Sequence, residues 1–392
     1  MSERGNHFQL LMRMNWLMLA AMLALITVGI LFINSATYVR EDVTATLYQK
    51  QLLWAIAGLG GYVAATLFDY RRLRDVAWWG YVLAVILLVA VLFFGTRIYG
   101  ARRWLMFFGV GIQPSELAKV AMIILSATLL SPPAEKYGRL PSIGWIFLLV
   151  GIPMLLVMKE PDLGSALVFL PVVMGMLFAA GASARPMMGL VMSGLAVVFI
   201  VLGVVALPEK IGISEEKQDR FFKAIHLTEY QRDRIEVFLD PDKDPMGTGW
   251  NKRQSEIAVG SGGLTGKGFR SGTQNILGFL PRTVAPTDFI FSVIAEETGF
   301  AGSMTVVGLY GILALCGLYS AMLARDKMGR LLCVGVITMV FTHAFVNMAM
   351  TIGVLPVVGI PLPLVSYGGT FMVITLIALG FVQSVYVRRP GL

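Results

Sequence analysis

Long apolar runs separated by short polar segments recur along most of the 392-residue chain. A run of about twenty apolar residues is long enough to cross ~30 Å of hydrocarbon as a helix. The pattern therefore predicts an all-α integral membrane protein, a single polytopic domain with about ten transmembrane helices. The predicted spans cover residues 15–36, 51–68, 76–94, 116–131, 142–158, 163–181, 186–207, 288–323, 331–352 and 366–387.

Composition agrees with this pattern, since only 14% of the residues are charged and the mean hydropathy is +0.73. Soluble domains carry about 25% charged residues. The two cysteines, Cys316 and Cys333, lie within apolar runs, which excludes a disulfide framework and a cysteine-rich metal site. The first apolar run is longer than the core of a signal peptide, so we expect it to be retained as a span.

The distribution of positive charge predicts the orientation in the membrane. With the N-terminus inside, the short inner segments hold thirteen Lys and Arg residues and the short outer segments hold six. Inner loops of membrane proteins are enriched in these residues, so both termini are predicted to be cytoplasmic. The net charge of +8 then reflects membrane topology and does not indicate nucleic-acid binding.

The segment 208–287 is predicted to be a large extracytoplasmic loop between the seventh and eighth spans. It carries twelve basic and eleven acidic residues and is therefore nearly neutral. Thr228 has capping-box spacing to Gln231, which predicts a helix that ends at Asp240. Nine glycines between Gly247 and Gly278 allow close approach of backbone, and scattered large apolar residues favour an ordered loop.

Charged residues near the outer ends of the spans are the first candidates for function, because charge in a bilayer is costly. Arg102 and Arg103 depart from the positive-inside trend. Ser115 is predicted to cap a helix that begins at Glu116, which would place Glu116 and Lys119 one turn apart. The alternative is that the arginines extend to the interface and that Glu116 and Lys119 form a local ion pair.

Two further acidic segments carry open alternatives. In the turn around Asp162, an acidic residue suits the start of a helix as well as it suits a functional site. Asp288 precedes an apolar run and could cap it. Glu296 and Glu297 lie two turns deeper, where ionised carboxylates need partners. Acidic residues opposed by arginines outside the membrane suggest an anionic headgroup site with a nearby base.

Two other signals are rejected. Gly266, Lys267 and Gly268 lack the following Ser or Thr of a phosphate-binding P-loop. The three histidines have no metal-ligand spacing, and His343 is predicted to be a packed residue bonded to a neighbouring span.

Several of these segments together resemble the shape, elongation, division and sporulation (SEDS) family. The resemblance lies in 100–104 with 113–119, 160–167, 234–275, 286–297 and 347–372. It implies ten transmembrane helices with a large outer loop after the seventh, in the bacterial inner membrane. It also implies polymerisation of lipid II into glycan strands, together with a class B penicillin-binding transpeptidase.

The resemblance places the essential aspartate of the family on Asp288. It places the family's Glu and Lys of the fourth span on Glu116 and Lys119, and an acidic turn residue on Asp162. In this hypothesis Asp288 takes a proton from the attacking sugar hydroxyl, and one displacement inverts the α-linkage to β. Arg102, Arg103 and Lys119, or a divalent cation such as Mg²⁺ or Mn²⁺, would stabilise the leaving diphosphate.

Two other classes of function remain open from the sequence. A lipid II transporter would place ionisable residues near the membrane midplane, usually with inverted repeats, whereas here charge gathers at the outer rim. A non-catalytic scaffold of a wall-synthesis complex would not require Asp288. Replacing Asp288 discriminates the scaffold from the enzyme.

Overall fold

A computed structural model of the chain describes residues 7–38, 46–98, 101–107, 109–131, 143–211, 220, 229–244, 247–280 and 284–389. The described helices are α1 (His7–Met12), α2 (Trp16–Thr37), α3 (Leu47–Leu67), α4 (Leu73–Phe94), α5 (Pro114–Leu130), α6 (Ile143–Lys159), α7 (Leu163–Ala179), α8 (Ala184–Ile211), α9 (Glu229–Leu239), α10 (Thr248–Ser261), α11 (Thr273–Ile276), α12 (Ile290–Met322), α13 (Lys327–Thr351) and α14 (Gly369–Val387).

The apolar runs have become helices, as predicted, because a helix satisfies its own backbone hydrogen bonds where no water is available. Each predicted span falls on one of the described helices. Five of these, within α2, α4, α12, α13 and α14, are long and apolar enough to cross a membrane. The helical membrane class is therefore confirmed, and the number of ten spans stays a prediction.

A three-stranded antiparallel sheet between α4 and α5 corrects the prediction of an all-α chain. Its strands are β1 (Thr96–Ile98), β2 (Ala101–Phe107) and β3 (Val110–Ile112), in the order β1-β2-β3. Gly109 has φ of 82° in the turn between β2 and β3, a conformation that glycine adopts without steric cost. The hairpin holds both Arg102 and Arg103.

The helices create two distinct ends of the bundle. The end formed by the sheet, the turn 160–162 and the segments 284–288 and 353–368 is called the site end. At the opposite end, Tyr70 donates a hydrogen bond to Asp326 at 2.7 Å. Arg389 there donates to the carbonyl oxygen of Arg13 at 3.1 Å, which brings the beginning and the end of the described chain together.

Helix α12 is broken at Gly299, which has φ of 65° and ψ of −160°. The carbonyl oxygens of Glu296 and Glu297 accept hydrogen bonds from the amides of Lys267 and Gly268, each at 3.0 Å. The amide of Phe300 donates instead to Gly263. The predicted span 288–323 is thus two helical pieces joined at a segment of the large loop, and the part after Gly299 is the length of an ordinary span.

The described part of the segment 208–287 contains the helices α9, α10 and α11. Helix α9 begins at Glu229 and ends at Leu239, so the predicted helix before Asp240 is confirmed. The capping residue Thr228 lies outside the described residues. Lys252, on α10, donates to the carbonyl oxygen of Phe238 at 3.0 Å and ties the two loop helices together.

Candidate active site

The two adjacent arginines of β2 point to opposite faces of the strand, because successive side chains alternate along a strand. Arg103 donates to the carbonyl oxygens of Glu160 and Pro161, in the turn before α7. Arg102 is exposed and donates to the carbonyl oxygen of Leu92, in the last turn of α4, at 3.3 Å. The structure therefore brings Arg103, but not Arg102, to the acidic turn.

Asp162 connects three elements at the site end. Its carboxylate caps α7 by accepting the amide of Ser165 at 3.0 Å. Its other oxygen accepts a hydrogen bond from Gln113 at 3.1 Å, and Arg103 lies 4.0 Å away. Asp162 is almost fully buried. Asp162 therefore caps α7, in agreement with one of the two alternatives from the sequence, and it also holds the positive charge of Arg103 in place.

The main chain around Asp288 is fixed by α13 and by the loop that precedes α14. Asn347 donates to the carbonyl oxygen of Asp288 at 2.9 Å and to that of Ile360 at 2.7 Å. Ser366 donates to the carbonyl oxygen of Thr287 at 2.5 Å. The N-cap residue of α12 is Phe289 and no side chain caps this helix. The alternative in which Asp288 is a helix cap is therefore not what the structure contains.

The carboxyl group of Asp288 lies in a strongly charged environment. Asp288 is partly exposed, and desolvation of its carboxyl group by the surrounding protein raises its pKa to about 6. The positive charges of Arg234 and Arg103 oppose the rise, and the negative charge of Asp162 adds to it. The group is then mostly ionised at neutral pH and still basic enough to accept a proton.

Arg234 is a site residue that the sequence did not single out. It lies on α9 of the large loop, and its guanidinium donates to the carbonyl oxygen of Val357. Its charge acts on Asp288 although the two residues are far apart in sequence. Only the fold brings them together, and the resemblance of 234–275 to the SEDS family was the only sequence signal for it.

Glu160 is a second site residue without an earlier role. It is 1% exposed, and neither carboxyl oxygen has a hydrogen-bond partner among the residues that the structure describes. Burial, together with the charge of Asp162, raises the pKa of Glu160 to about 9, against the influence of Arg103. Glu160 is therefore protonated and uncharged at neutral pH.

Glu116 and Lys119 form the predicted ion pair, but the pair is buried in the protein below the surface of the site. The Lys119 ammonium lies 2.8 Å from Glu116 and 2.8 Å from Nε2 of His343, and it is fully buried. His343 is thus the packed residue bonded to a neighbouring helix that the sequence predicted. Helix α5 begins at Pro114 rather than Glu116, so Ser115 lies inside the first turn and does not cap it.

Glu296 and Glu297 have partners of their own. Glu296 accepts hydrogen bonds from Lys267 at 2.7 Å and from the amide of Gln274 at 3.0 Å. Glu297 accepts the Ser35 hydroxyl at 2.6 Å and the amide of Arg270 at 3.0 Å. These contacts tie the large loop to α12 and α2. The two glutamates are therefore separate from the cluster around Asp288.

The divalent cation that the sequence hypothesis allows stays a prediction. Within the described ranges, no group of three His, Cys, Asp or Glu side chains is arranged to hold one. Asp162 lies 4.0 Å from Arg103, and the charges of Arg103 and Arg234 act on Asp288. No chemical step is therefore assigned to a divalent cation.

Comparison with known proteins shows which family this chain belongs to. The family model FTSW_RODA_SPOVE, described as a cell cycle protein, matches residues 15–390. The peptidoglycan glycosyltransferase MrdB of Escherichia coli K12 is 37% identical over 379 residues, covering 96% of this chain and 94% of MrdB.

Solved structures agree with this relationship. A chain of a peptidoglycan synthase complex that coordinates polymerization and crosslinking matches with a TM-score of 0.74 and 29% identity, covering 96% of this chain and 98% of that one. The crystal structure of the rod-shape-determining protein RodA of Thermus thermophilus matches with a TM-score of 0.65 and 26% identity, covering 96% and 97%. This chain therefore belongs to the FtsW/RodA/SpoVE family, the SEDS proteins.

Proposed function

We propose that this protein is a peptidoglycan glycosyltransferase that polymerises lipid II in the bacterial inner membrane, with Asp288 as the general base. The observation that carries the proposal is the carboxyl group of Asp288 at one end of the helix bundle, on which the charges of Arg103, Arg234 and Asp162 act. The relationship to named peptidoglycan glycosyltransferases supports the reaction class.

The reaction joins two molecules of lipid II. The 4-hydroxyl of GlcNAc in one molecule attacks the anomeric carbon of MurNAc in the other, and undecaprenyl diphosphate leaves. Because a sugar hydroxyl is a weak nucleophile, Asp288 takes its proton as the new bond forms. A single displacement inverts the α-linkage to β and requires no covalent enzyme intermediate.

The leaving diphosphate develops negative charge, and positioned positive charge stabilises it. Arg103 is held by two main-chain carbonyl oxygens and lies near Asp162, and Arg234 is held by Val357. These two arginines take the role that the sequence assigned to Arg102, Arg103 and Lys119 together. Glu116 and Lys119 act as positioning residues, since their charges are closed in a buried pair.

The chain is proposed to span the membrane ten times, with both termini in the cytoplasm and the segment 208–287 outside. The charge distribution supports this orientation. At the end opposite to the site, Arg389 donates to the carbonyl oxygen of Arg13, and Arg71 lies 3.9 Å from Asp326. Asp288 then faces the outer side, where glycan strands are needed.

A class B penicillin-binding protein is the proposed partner. A related chain in a solved complex belongs to an assembly that coordinates polymerization with crosslinking. Crosslinking requires a transpeptidase, and the sequence contains no segment that resembles one. The partner would supply that activity.

Purified protein supplied with labelled lipid II, with and without a class B penicillin-binding protein, tests the function. The expected product is a ladder of glycan chains, strengthened by the partner. Transport of lipid II across proteoliposomes without chain formation would support the transporter and overturn the enzyme. Absence of both activities, while the partner still binds, would support the scaffold.

Thiol labelling in intact cells tests the orientation. Leu264, in the large loop, and Arg325, at the opposite end, are both exposed, and the native Cys316 and Cys333 are buried. A membrane-impermeant reagent should label Leu264→Cys and not Arg325→Cys. The reverse pattern would place the site end in the cytoplasm and overturn the topology.

A further inference from the structure

The buried pair of Glu116 and Lys119 has a third member on a different helix. The Lys119 ammonium lies 2.8 Å from a carboxylate oxygen of Glu116, on its own helix α5, and 2.8 Å from Nε2 of His343, on α13. All three residues are 3% exposed or less. In the part of the chain that the structure describes, no other side-chain hydrogen bond joins α5 to α13. The contact with His343 therefore fixes α5 against α13 at one depth.

The short distance to Lys119 determines where the imidazole of His343 carries its proton. The Lys119 ammonium, which is paired with a carboxylate, has donors and no acceptor, so Nε2 of His343 must accept. A neutral imidazole whose Nε2 accepts carries its proton on Nδ1. A charged ring would place two positive charges 2.8 Å apart in the protein interior, which is strongly unfavourable. The geometry therefore requires neutral His343 with its proton on Nδ1.

The imidazole ring of His343 is also held on its other sides. It stacks on Phe371 of α14, with the ring centroids 5.3 Å apart and an angle of 27° between the rings. Nδ1 is buried and makes no hydrogen bond of ordinary geometry with the described residues. The main-chain acceptor beside the ring is the carbonyl group of Pro361. The protonated side of the ring is thus turned towards the segment that precedes α14.

The next turn of α13 carries the residue that holds the main chain of Asp288. Asn347 follows His343 by four positions, so the two side chains lie on one face of the helix. Asn347 donates to the carbonyl oxygen of Asp288 at 2.9 Å and to that of Ile360 at 2.7 Å. One face of α13 therefore connects the buried Lys119 to the segment of the proposed base.

Helix α5 belongs to the other half of the site. It begins at Pro114, directly after Gln113, whose side chain donates to Asp162 at 3.1 Å. Asp162 in turn lies 4.0 Å from Arg103. A shift of α5 along α13 would thus move the proposed base relative to the arginine that is proposed to stabilise the leaving diphosphate.

We propose that His343 is a positioning residue, whose Nε2 acceptor holds Lys119 and thereby sets Asp288 relative to Arg103. The proposal rests on the proposed function, because its consequence is the rate of lipid II polymerisation. The property that matters in this role is the acceptor at Nε2, rather than a charge or the shape of the ring. A displacement of reacting groups by about 1 Å lowers the rate of a positioned reaction steeply.

Two substitutions separate the acceptor from the ring. His343→Phe keeps the stacking on Phe371 but offers no acceptor to Lys119. His343→Gln loses the ring, and its side-chain oxygen can take the place of Nε2 and accept the same hydrogen bond. The kcat of His343→Phe should fall on the order of tenfold with little change in KM, and that of His343→Gln should stay within a few-fold of wild type. Equal losses in the two variants, or a full rate in His343→Phe, would overturn the proposal.

Val336→Ala is the matched control for general damage to α13. Val336 is fully buried in the same helix, two turns from His343 towards the end opposite to the site. The substitution leaves a cavity, so the thermal midpoint should fall, whereas the rate per folded molecule should not. A fall in kcat as large as that of His343→Phe would show that any loss of packing in α13 slows the reaction, and would overturn the specific role of His343.

The Asp288→Asn background tests whether His343 acts through the base. With the base absent, adding His343→Phe should leave the residual rate unchanged, because two substitutions that disturb one interaction are not additive. A further loss on the order of tenfold in the double variant would show that His343 acts on another group, and would overturn the positioning of Asp288.

The tautomer of His343 can be measured without polymerase activity. Nitrogen-15 NMR of histidine-labelled protein distinguishes a proton on Nδ1 from one on Nε2 or on both, and His343→Gln identifies the signal among the three histidines. At pH 7 His343 should be neutral with its proton on Nδ1, and a proton on Nε2 would overturn the contact with Lys119. A wild type with the expected tautomer and no polymerisation would contradict the proposed function alone. An active wild type whose rate is unchanged by His343→Phe would contradict the positioning role alone.

Discussion

Asp288 and Glu297 lie close together in the sequence, but the surroundings of their carboxylates differ. Both oxygens of Glu297 accept hydrogen bonds from Ser35, and one also accepts the amide of Arg270. Asp288 is instead fixed through its main-chain carbonyl, while the charges of Arg234 and Arg103 act on its carboxyl group. A carboxylate saturated by fixed donors holds structure, whereas a positioned carboxylate with a raised pKa is suited to proton transfer.

Asp288→Asn should give the largest effect on activity. Asparagine keeps the shape of the side chain but cannot accept a proton, so lipid II polymerisation should fall by about 10²–10⁴-fold. Asp288→Glu should also be impaired, because positioned catalysis tolerates a shift of about 1 Å poorly. The measurement is the initial rate with purified protein, and expression and membrane insertion should stay near normal. A near wild-type rate in Asp288→Asn would exclude this base.

Glu297→Gln should change stability rather than chemistry. In the variant, the NH₂ group of the glutamine side chain meets donors that bond to a carboxylate in the wild type. Buried donors are then left unpaired, at a cost of about 1–3 kcal/mol. The thermal midpoint should fall, whereas the rate per folded molecule should stay close to wild type. A rate loss as large as that of Asp288→Asn, at unchanged stability, would remove the distinction between the two carboxylates.

Asn347→Ala should affect the position of Asp288. The side chain of Asn347 donates to Asp288 and to Ile360, so its loss frees the segment that carries the base. We expect kcat to fall on the order of tenfold with little change in KM, since misplacement of reacting groups lowers rate steeply. An unchanged kcat in a folded variant would show that this hydrogen bond does not position the base.

Glu160→Gln should have the smallest effect. The pKa of Glu160 is raised to about 9, so the wild-type side chain is already neutral at pH 7 and glutamine resembles it. Polymerisation at pH 7 should stay within a few-fold of wild type. A loss comparable to that of Asp288→Asn would show that Glu160 exchanges a proton during the reaction.

Hydropathy predicted the helices well, because burial in lipid demands long apolar runs with internal hydrogen bonds. It did not reveal the break at Gly299, since the lost backbone bonds are replaced by Lys267 and Gly268 from a distant segment. The hairpin was also missed, because β1 and β3 are only three residues long. If β2 had been recognised in the sequence, the alternation of side chains along a strand would have placed Arg102 and Arg103 on opposite faces.

The candidate site was predicted only in part. Asp288, Asp162 and Arg103 were named from local charge and from the SEDS resemblance, and the fold brings their charges together. Arg234 and Asn347 reach Asp288 from other helices, which no local pattern can indicate. The contact of the buried Lys119 ammonium with His343 was also not predictable, because His343 lies 224 positions further along the chain.

The pH dependence of polymerisation tests the role of Asp288 most directly. Because burial raises the pKa of Asp288 to about 6, the base is lost to protonation as pH falls through that value. The wild-type rate should therefore rise from about pH 5 to a plateau above about pH 7, and the residual rate of Asp288→Asn should lack this titration. A wild-type rate independent of pH in this range, or the same titration in Asp288→Asn, would contradict the assignment of Asp288 as the base.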